Sequence, residues 1–315
     1  MTRYGPPDAS RAPRYTGVRT FARCPLVRDD LAGVDVAAVG VPFDTATSFR
    51  PGARFGPEAI RSASVLLRPW HPVLGVDVFA GRSVVDYGDL DVTPGNAERT
   101  SEQIAAGLAP LLDAGVAPIV LGGDHLVALG ELRAYAAAAG EPVAVVLLDA
   151  HADTWDQYYG ERLFHGTVFR RAVEEGVVAP ERSLLAGMRG GVYAAADLDD
   201  ARALGFEVIV DSDLRTLLPD AFGARVRARV GDGPVVLGFD VDVVDPAFAP
   251  GTGTPEVGGL TSYEALSALR SLAGLRFRGF DVVELSPPYD GAGQPTALLA
   301  ANVAWEFLAL AAVAP

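Results

Sequence analysis

Short, continuously apolar runs alternate along this chain with stretches of helical periodicity. Strands are predicted at 34–41, 117–123, 142–150, 182–190, 206–211, 233–242 and 278–286. Several of these runs are apolar at almost every position, as in parallel strands that are covered on both faces. Helices are predicted between them, at 98–113, 127–139, 194–204, 214–229 and 262–273. Because the composition does not change along this stretch, the alternation predicts the α/β class: a single three-layer α/β/α domain with a mainly parallel sheet.

The beginning of the chain lacks this alternation. Residues 1–30 are rich in proline, arginine and glycine. They predict an irregular N-terminal arm that lies over the surface of the domain or over a neighbouring subunit. No internal repeat or linker divides the remainder, so residues 31–315 are predicted to form one domain.

Composition restricts the classes of partner. The chain has 40 acidic and 26 basic residues, a formal net charge of −14, which disfavours nucleic acid and mildly attracts cations. A single cysteine, Cys24, argues against an intrachain disulfide framework and against a cysteine-rich zinc site. The N-terminal residues show no apolar core of a signal peptide, and no apolar run is expected to span a membrane. We therefore expect a cytoplasmic enzyme or binding protein without a membrane partner.

Polar side chains gather where the predicted strands end. The segment GGDH (122–125) follows one strand, LDAHADTWD (148–156) the next and DVD (240–242) a third, while Glu284 closes a fourth. Open α/β sheets bind ligands beyond the carboxyl ends of their strands. For one such segment alone, a polar strand end that caps a helix is an equally good explanation. Their coincidence at four strand ends favours a functional site.

The spacing within these segments indicates bound cations. In an extended chain Asp149, His151 and Asp153 point to one side, and Asp240 and Asp242 repeat that spacing. Burying carboxylates without a cation is costly. The complete ligand set is His125, Asp149, His151, Asp153, Asp240 and Asp242. It exceeds what one tetrahedral zinc ion uses and suits two divalent ions, with manganese favoured by the oxygen-rich, thiolate-free donors. Two such ions can activate water for hydrolysis.

Longer segments around these residues resemble a known family. They are GGDH, DAHADT, HGTVFRRAVEEG, GFDVDVVDPAFAPGTGTPEVGGLT, SFRPGARFGPEAIR (48–61) and DVVELSPPYD (281–290). Over about residues 35–310 the chain resembles the ureohydrolases, which include arginase, agmatinase and guanidinobutyrase. Within these segments the chain is more similar to the agmatinase-like branch than to arginase itself. That branch includes guanidinobutyrase and proclavaminate amidinohydrolase.

The resemblance implies an arginase-type fold, residues 31–315 as the catalytic domain, assembly as a trimer or hexamer, and two manganese ions per subunit. One ion would be held by His125, Asp149, Asp153 and Asp240, and the other by His151, Asp149, Asp240 and Asp242. Asp149 and Asp240 would bridge the two ions. The implied reaction is hydrolysis of a guanidine to urea and a primary amine, with a metal-bridging hydroxide as the nucleophile. Asp153 thus counts among the catalytic residues.

The resemblance also implies roles beside the metal ions. His165 matches the proton-shuttle histidine of the family, although a surface histidine at a helix start is the simpler alternative. Glu284 matches the glutamate that binds the guanidinium group, for which a carboxylate is the natural partner. Trp155 and Tyr158 are expected to line the entrance, or else to be ordinary core aromatics. Asp124 is expected to support the site without binding metal.

The stretch TWDQYYGERLF (154–164) bears on the substrate. It is bulkier and more aromatic than the polar stretch with which arginases hold an amino-acid head group, so we expect an ω-guanidino compound without one. Asp156 or Glu161 facing an amine would favour agmatine, our first choice, whereas Arg162 facing a carboxylate would favour 4-guanidinobutyrate. A specialised guanidino metabolite is a third candidate. A binuclear metallophosphatase or a non-catalytic family member is less favoured, because Glu284 suits a cation and the ligand set is intact.

Overall fold

A sheet of eight parallel strands forms the centre of the protein, whose computed structural model describes residues 4–194 and 196–314. The strands are β1 (Val36–Gly40), β4 (Val84–Asp89), β5 (Ala117–Leu121), β6 (Ala144–Leu148), β7 (Leu184–Met188), β8 (Glu207–Val210), β9 (Val235–Asp240) and β10 (Gly279–Val283). Their order across the sheet is β4-β1-β5-β10-β9-β6-β7-β8. A separate antiparallel pair is formed by β2 (Trp70–His71) and β3 (Val76–Asp77). Strands β1, β6, β7, β9 and β10 are buried along their whole length, as expected for a sheet covered on both faces.

Helices cover the two faces of this sheet. They are α1 (Gly56–Ser64), α2 (Ala97–Asp113), α3 (Val127–Ala139), α4 (Val168–Glu174), α5 (Asp197–Ala203), α6 (Asp211–Leu217), α7 (Asp220–Val230), α8 (Ser262–Arg270) and α9 (Pro295–Val313). Alternate side chains of β1 enter two different cores: Ala38 packs with α1 and α6–α9, and Val39 packs with α2–α4. The expected three-layer α/β/α domain is confirmed.

The sequence pattern located most elements but missed some. Each predicted strand contains an observed one, and the predicted helices correspond to α2, α3, α5 and α8. Residues 1–3 of the expected arm, residue 195 of the predicted helix 194–204 and residue 315 lie outside the described residues. The predicted helix 214–229 is wrong as one element, because it is divided into α6 and α7. Leu218 between them is extended, since a residue that precedes proline avoids the helical region. Strand β4 and helices α1, α4 and α9 were not predicted.

Helix α9 corrects the expectation about apolar runs. It is long and apolar enough to cross a membrane by length and composition, alone among the helices of residues 4–194 and 196–314. Most of its surface is buried in the fold, against α1, α8 and β10. Its one acidic residue, Glu306, is buried and paired with His71 of β2 and with Arg270 of α8. Helix α9 is therefore built as a core helix of this domain.

The order of the central strands brings the polar segments together. Strands β5, β10, β9 and β6 are neighbours, and each leads directly into one of the clusters found in the sequence. Because all four run in the same direction, their carboxyl ends meet at one edge of the sheet. Segments that are far apart along the chain thus share a single site.

A buried ion-pair network fastens the N-terminal region to this sheet. Asp86 of β4 accepts hydrogen bonds from Arg61 Nε at 2.8 Å and Nη2 at 3.0 Å, and from the backbone N–H of Phe21 at 2.6 Å. Arg61 Nη1 also contacts Asp89 at 2.5 Å. Phe21 and the neighbouring Cys24 are buried in the core. The expected arm therefore ends in a firmly attached segment near residue 20.

We expect Asp86→Asn to lower the free energy of unfolding by about 3 kcal/mol, because it removes the main counter-charge of a buried guanidinium. Asp89→Asn is the matched control: the side chain of Asp89 is 46% exposed whereas that of Asp86 is 1% exposed. The control should cost less than about 1 kcal/mol, as exposed ion pairs do. Urea titration of both variants measures the difference, and equal losses would contradict this account of the network.

Candidate active site

Three carboxylates surround His125 at the end of β5. Its Nδ1 lies 2.8 Å from Asp153 Oδ2, 3.1 Å from Asp149 Oδ2 and 3.5 Å from Asp240 Oδ2. The imidazole and the carboxylates of Asp149 and Asp240 are buried. Asp153 is held at a φ of 50°, in the left-handed region that few residues other than glycine adopt. Such local strain is typical of functional positions.

A second cluster lies beside the first and shares Asp149 with it. His151 Nδ1 is 3.0 Å from Asp242 Oδ2 and 3.6 Å from Asp149 Oδ1. Its other ring nitrogen, Nε2, faces Glu256 Oε1 at 3.9 Å. All six ligand-type residues predicted from the sequence are therefore brought together by the fold.

Three of the four aspartates in these clusters divide their two oxygens in the same way. One oxygen accepts a backbone N–H: Asp149 Oδ1 from His151 at 2.6 Å, Asp240 Oδ1 from Asp242 at 2.8 Å, and Asp242 Oδ1 from Ala150 at 3.1 Å. The other oxygen, Oδ2, faces an imidazole. The backbone thus fixes each carboxylate and leaves its second oxygen for another positive partner.

The charge of this site fits divalent cations. Burial, together with the nearby carboxylates of Asp242 and Asp149, raises the pKa of Asp240 well above its usual range. The same excess of carboxylate raises the pKa of His125 and His151 well above theirs, although burial opposes their protonation. The ligand atoms form two sets, His125–Asp149–Asp240 and Asp149–His151–Asp242, and within each set they lie within 4.8 Å of one another. Each set could hold one cation, and the two sets share Asp149.

His165 and Glu284 form a pair next to the clusters. His165 Nδ1 is 2.8 Å from Glu284 Oε1, which also accepts the backbone N–H of His125 at 2.9 Å. Burial disfavours the charged imidazole, but the Glu284 carboxylate prevails and raises the pKa of His165 to about 9. Glu284 has a φ of 62°, so a second acidic residue of the site is held in the left-handed region. Its Oε2 is buried without a hydrogen-bond partner in the described part of the chain.

A cavity of about 1020 Å³ opens above these residues. Aromatic side chains form one wall: Trp155 stacks on Tyr158 with ring centroids 5.1 Å apart, and the hydroxyl of Tyr158 lies 2.7 Å from that of Tyr193. Trp155 and Tyr158 are half-buried and line the cavity. His165 lines the same cavity, whereas Glu284 lies behind it.

The charged residues thought to face the substrate are elsewhere. Asp156, Glu161 and Arg162 do not line the cavity. Asp156 is paired with Arg171 at 2.7 Å, and Arg162 with Glu174 at 2.5 Å, on the outer side of the loop. The expectation that one of them meets the substrate tail is therefore wrong.

Sequence reasoning missed other residues of the cavity wall. These are Ser48, Arg50, Arg189, Asp211 and Glu256. The first two lie at the start of SFRPGARFGPEAIR and Glu256 lies in PGTGTPEVGGLT, so the family segments held the available signal. Asp124, expected to be a support, accepts backbone N–H groups of Ala46 and Leu126 and so holds the loop that carries Ser48.

A parallel α/β/α sheet with histidine and aspartate clusters at its carboxyl edge is the arrangement that the resemblance to the ureohydrolases implies. The chain belongs to the arginase family, whose family model matches residues 34–310. The predictions of the family, of the fold class and of a ureohydrolase-type enzyme are confirmed.

Similar proteins extend over nearly the whole chain. Guanidinobutyrase of Pseudomonas aeruginosa is 42% identical over 305 residues, which cover 96% of this chain and 95% of that protein. Guanidinopropionase of the same organism is 44% identical, with 98% and 96% of the two chains covered. The solved structure of proclavaminate amidinohydrolase from Streptomyces clavuligerus matches with a TM-score of 0.91 and 42% identity, covering 96% of this chain and 100% of that one.

The shared position of Asp149 predicts a loss of metal at both sites when it is removed. Asp149→Ala purified in Mn²⁺ should retain neither ion of the pair that the wild type binds, and Asp240→Ala should behave in the same way. Asp156→Ala, which removes an aspartate outside the cavity, is the control and should bind as the wild type does. Elemental analysis gives the metal content per subunit. A full complement of tightly bound metal in Asp149→Ala would refute the shared-ligand geometry.

Proposed function

We propose that this chain is an amidinohydrolase that cleaves an ω-guanidino compound into urea and a primary amine. The observation that carries the proposal is the pair of cation-binding clusters beside the His165–Glu284 pair, all at one edge of the sheet. The similarity to guanidinobutyrase and guanidinopropionase supports the same chemistry.

The proposed enzyme carries two divalent ions per subunit, with manganese the preferred metal. His125, Asp149, Asp153 and Asp240 would hold one, and His151, Asp149, Asp240 and Asp242 the other. Bound there, the ions supply Lewis acidity that makes water a competent nucleophile at neutral pH. Asp153 belongs in the first set because its Oδ2 lies closest to His125 Nδ1, at 2.8 Å.

The chain's own residues would bind the guanidinium group and move protons. Glu284 Oε2 is an unpartnered carboxylate oxygen, and a planar guanidinium is the partner that best satisfies it. Gly253 lies against this oxygen: a Cβ there would approach Oε2 to 3.3 Å, so the absence of a side chain keeps the approach open. His165, on the cavity side of Glu284, is placed to give a proton to the departing amine.

The charged residues that line the cavity favour a substrate with a carboxylate tail. The acidic wall residues already have partners: Asp211 pairs with Arg215 at 2.7 Å and Glu256 faces His151. Asp197 accepts the backbone N–H groups of Tyr193 and Ala194. Arg50 has no carboxylate partner within the described chain, and its guanidinium rests on the rings of Phe49 and Tyr289 at 5.2 and 5.1 Å. An ω-guanidino acid such as 4-guanidinobutyrate would supply the missing charge. This moves our preference from agmatine to the guanidino acids.

The setting of the enzyme is also part of the proposal. The cytoplasm is the location we propose, on the acidic composition of the chain. The family resemblance favours a trimer or hexamer. Exposed aromatic and aliphatic side chains such as Tyr15, Val18 and Trp70 are consistent with burial between subunits. Analytical ultracentrifugation of the purified protein would test the assembly.

The position of His165 predicts a catalytic defect without loss of metal. His165→Ala should lower turnover by roughly 10²–10⁴, the usual contribution of general acid–base catalysis. Metal content should stay at the wild-type level, because none of the cluster distances depends on His165. Elemental analysis and a urea-release assay on the same preparation give both quantities. Metal-depleted His165→Ala protein would instead make His165 a ligand.

The charges of the cavity predict a substrate order. Urea release with Mn²⁺ should be most efficient, by kcat/KM, on 4-guanidinobutyrate or 3-guanidinopropionate, weaker on agmatine and weakest on arginine. Arg50→Gln should reduce the preference for guanidino acids over agmatine by about tenfold, the equivalent of ~1.4 kcal/mol. Arg162→Gln, which removes an arginine outside the cavity, should leave the preference unchanged. Agmatine as the best substrate of the wild type would overturn the charge argument, and arginine as the best would overturn the substrate class.

A further inference from the structure

Ser48 is in direct contact with His165, and the mechanism above does not use it. Its Oγ lies 2.7 Å from His165 Nε2, and its backbone N–H donates to the same nitrogen at 3.1 Å. The opposite ring nitrogen, Nδ1, is engaged by Glu284. The three groups thus form a continuous chain, from the Glu284 carboxylate through the imidazole to the Ser48 hydroxyl.

The two contacts of Ser48 make different demands on the imidazole. A backbone N–H can only donate, so it favours a lone pair on Nε2 and a proton on Nδ1. A hydroxyl can donate or accept, so Oγ can bond to Nε2 whether or not that nitrogen carries a proton. The Glu284 carboxylate favours the charged imidazolium, whereas the Ser48 N–H favours the neutral imidazole. Of the two contacts at Nε2, only the Ser48 hydroxyl can bond to both the neutral imidazole and the imidazolium.

The loop that carries Ser48 is fixed by buried carboxylates. Asp44 accepts the backbone N–H of Gly52 at 2.7 Å, and Asp124 accepts that of Ala46 at 2.8 Å. Ala46 in turn accepts the backbone N–H of His165 at 3.1 Å. Both carboxylates are buried. The hydroxyl and the imidazole are therefore held relative to each other by the backbone, as a preorganised pair requires.

Nε2 is the nitrogen of His165 that faces the cavity side, because Nδ1 faces the buried Glu284. Ser48 is half-buried and lines that same cavity. We propose that the Ser48 hydroxyl relays the proton from His165 Nε2 to the leaving amine, an inference that rests on the amidinohydrolase function proposed above. In this relay the Ser48 hydroxyl contacts the leaving amine, and His165 acts through Ser48.

The relay conserves protons and electrons. As the C–N bond breaks, its electron pair goes to the amine nitrogen, which takes the Oγ proton of Ser48. At the same time the imidazolium gives its Nε2 proton to Oγ. The serine ends as it began, the imidazole becomes neutral, and the amine gains one proton.

A nucleophilic serine is the competing role for the same three groups, since serine hydrolases space serine, histidine and a carboxylate in this way. In those enzymes the backbone N–H of the serine helps to hold the oxyanion. Here that N–H is directed at His165 Nε2 instead. The geometry therefore favours a relay over a covalent intermediate.

The test compares Ser48→Ala, Ser48→Thr and Thr45→Ala, each loaded with Mn²⁺. Thr45 lies in the same loop, but its hydroxyl accepts from Gly95 at 2.9 Å, so Thr45→Ala controls for loop loosening. Ser48→Ala should lower kcat by roughly 10–100-fold, a part of what general acid catalysis contributes. Its KM and metal content should change little. Ser48→Thr should recover most of the rate, and Thr45→Ala should match the wild type.

A second readout does not depend on turnover. The chain has four histidines, so ¹⁵N-histidine spectra of the Mg²⁺-loaded protein resolve them individually. In Ser48→Ala the Nε2 signal of His165 should move toward that of a nitrogen with fewer hydrogen bonds. His71 is the internal reference: its Nδ1 accepts the N–H of Leu74 at 3.0 Å, far from Ser48, and its signals should not move.

The outcomes separate the relay from the function on which it rests. A wild type that releases no urea from any guanidino compound refutes the proposed function, and the relay with it. An active wild type with an equally active Ser48→Ala refutes the relay alone, as does an unmoved His165 signal or loss of metal in Ser48→Ala. Labelling of Ser48 by a fluorophosphonate probe would show a nucleophile and overturn the relay as well.

Discussion

Four carboxylates and two imidazoles are packed together at the edge of an apolar sheet, and the repulsion among the carboxylates is the constraint on which the surrounding structure depends. Solvent cannot screen this charge, because the side chains are largely buried. Backbone N–H groups hold one oxygen of Asp149, Asp240 and Asp242, and thereby orient the other. The surrounding fold supplies orientation, and cations bound there would supply the compensating charge. Stability and metal binding are for this reason coupled in such a site.

The layers of the fold could be predicted from the sequence because buried parallel strands are unbroken apolar runs. The missed elements had weaker patterns. Strand β4 carries Asp86 and Asp89 in its six residues, since it pairs electrostatically with Arg61. Helix α9 is apolar on nearly all sides, because it is buried between other helices and β10, and so shows no helical alternation. The alternation of apolar and polar residues reflects which side of a segment is exposed to solvent, and these two segments pack mostly against protein.

Some residues of the candidate site could be predicted from the local sequence pattern and others could not. The ligand residues were visible because an i, i+2 spacing at a strand end already fixes which side chains converge. The contact between His165 and Ser48 was not visible, because Ser48 lies 117 residues away in sequence and only the folded loop brings it near. The charges of the substrate cavity were assigned wrongly for a related reason. Asp156 and Arg162 are close to the site along the chain, but salt bridges to α4 turn them away from it.

The position of β10 in the sheet has a consequence for biosynthesis. This strand lies between β5 and β9, yet it is the last strand in the described sequence. A growing chain therefore holds His125 on one half of the sheet and the remaining ligands on the other until residues near 284 have left the ribosome. The cluster around His125 cannot close on the nascent chain before that point, whereas the residues of the second cluster all follow β6 and β9, which are direct neighbours. The order of strands thus makes the cluster around His125 the later of the two to assemble, and β10 the element that completes it.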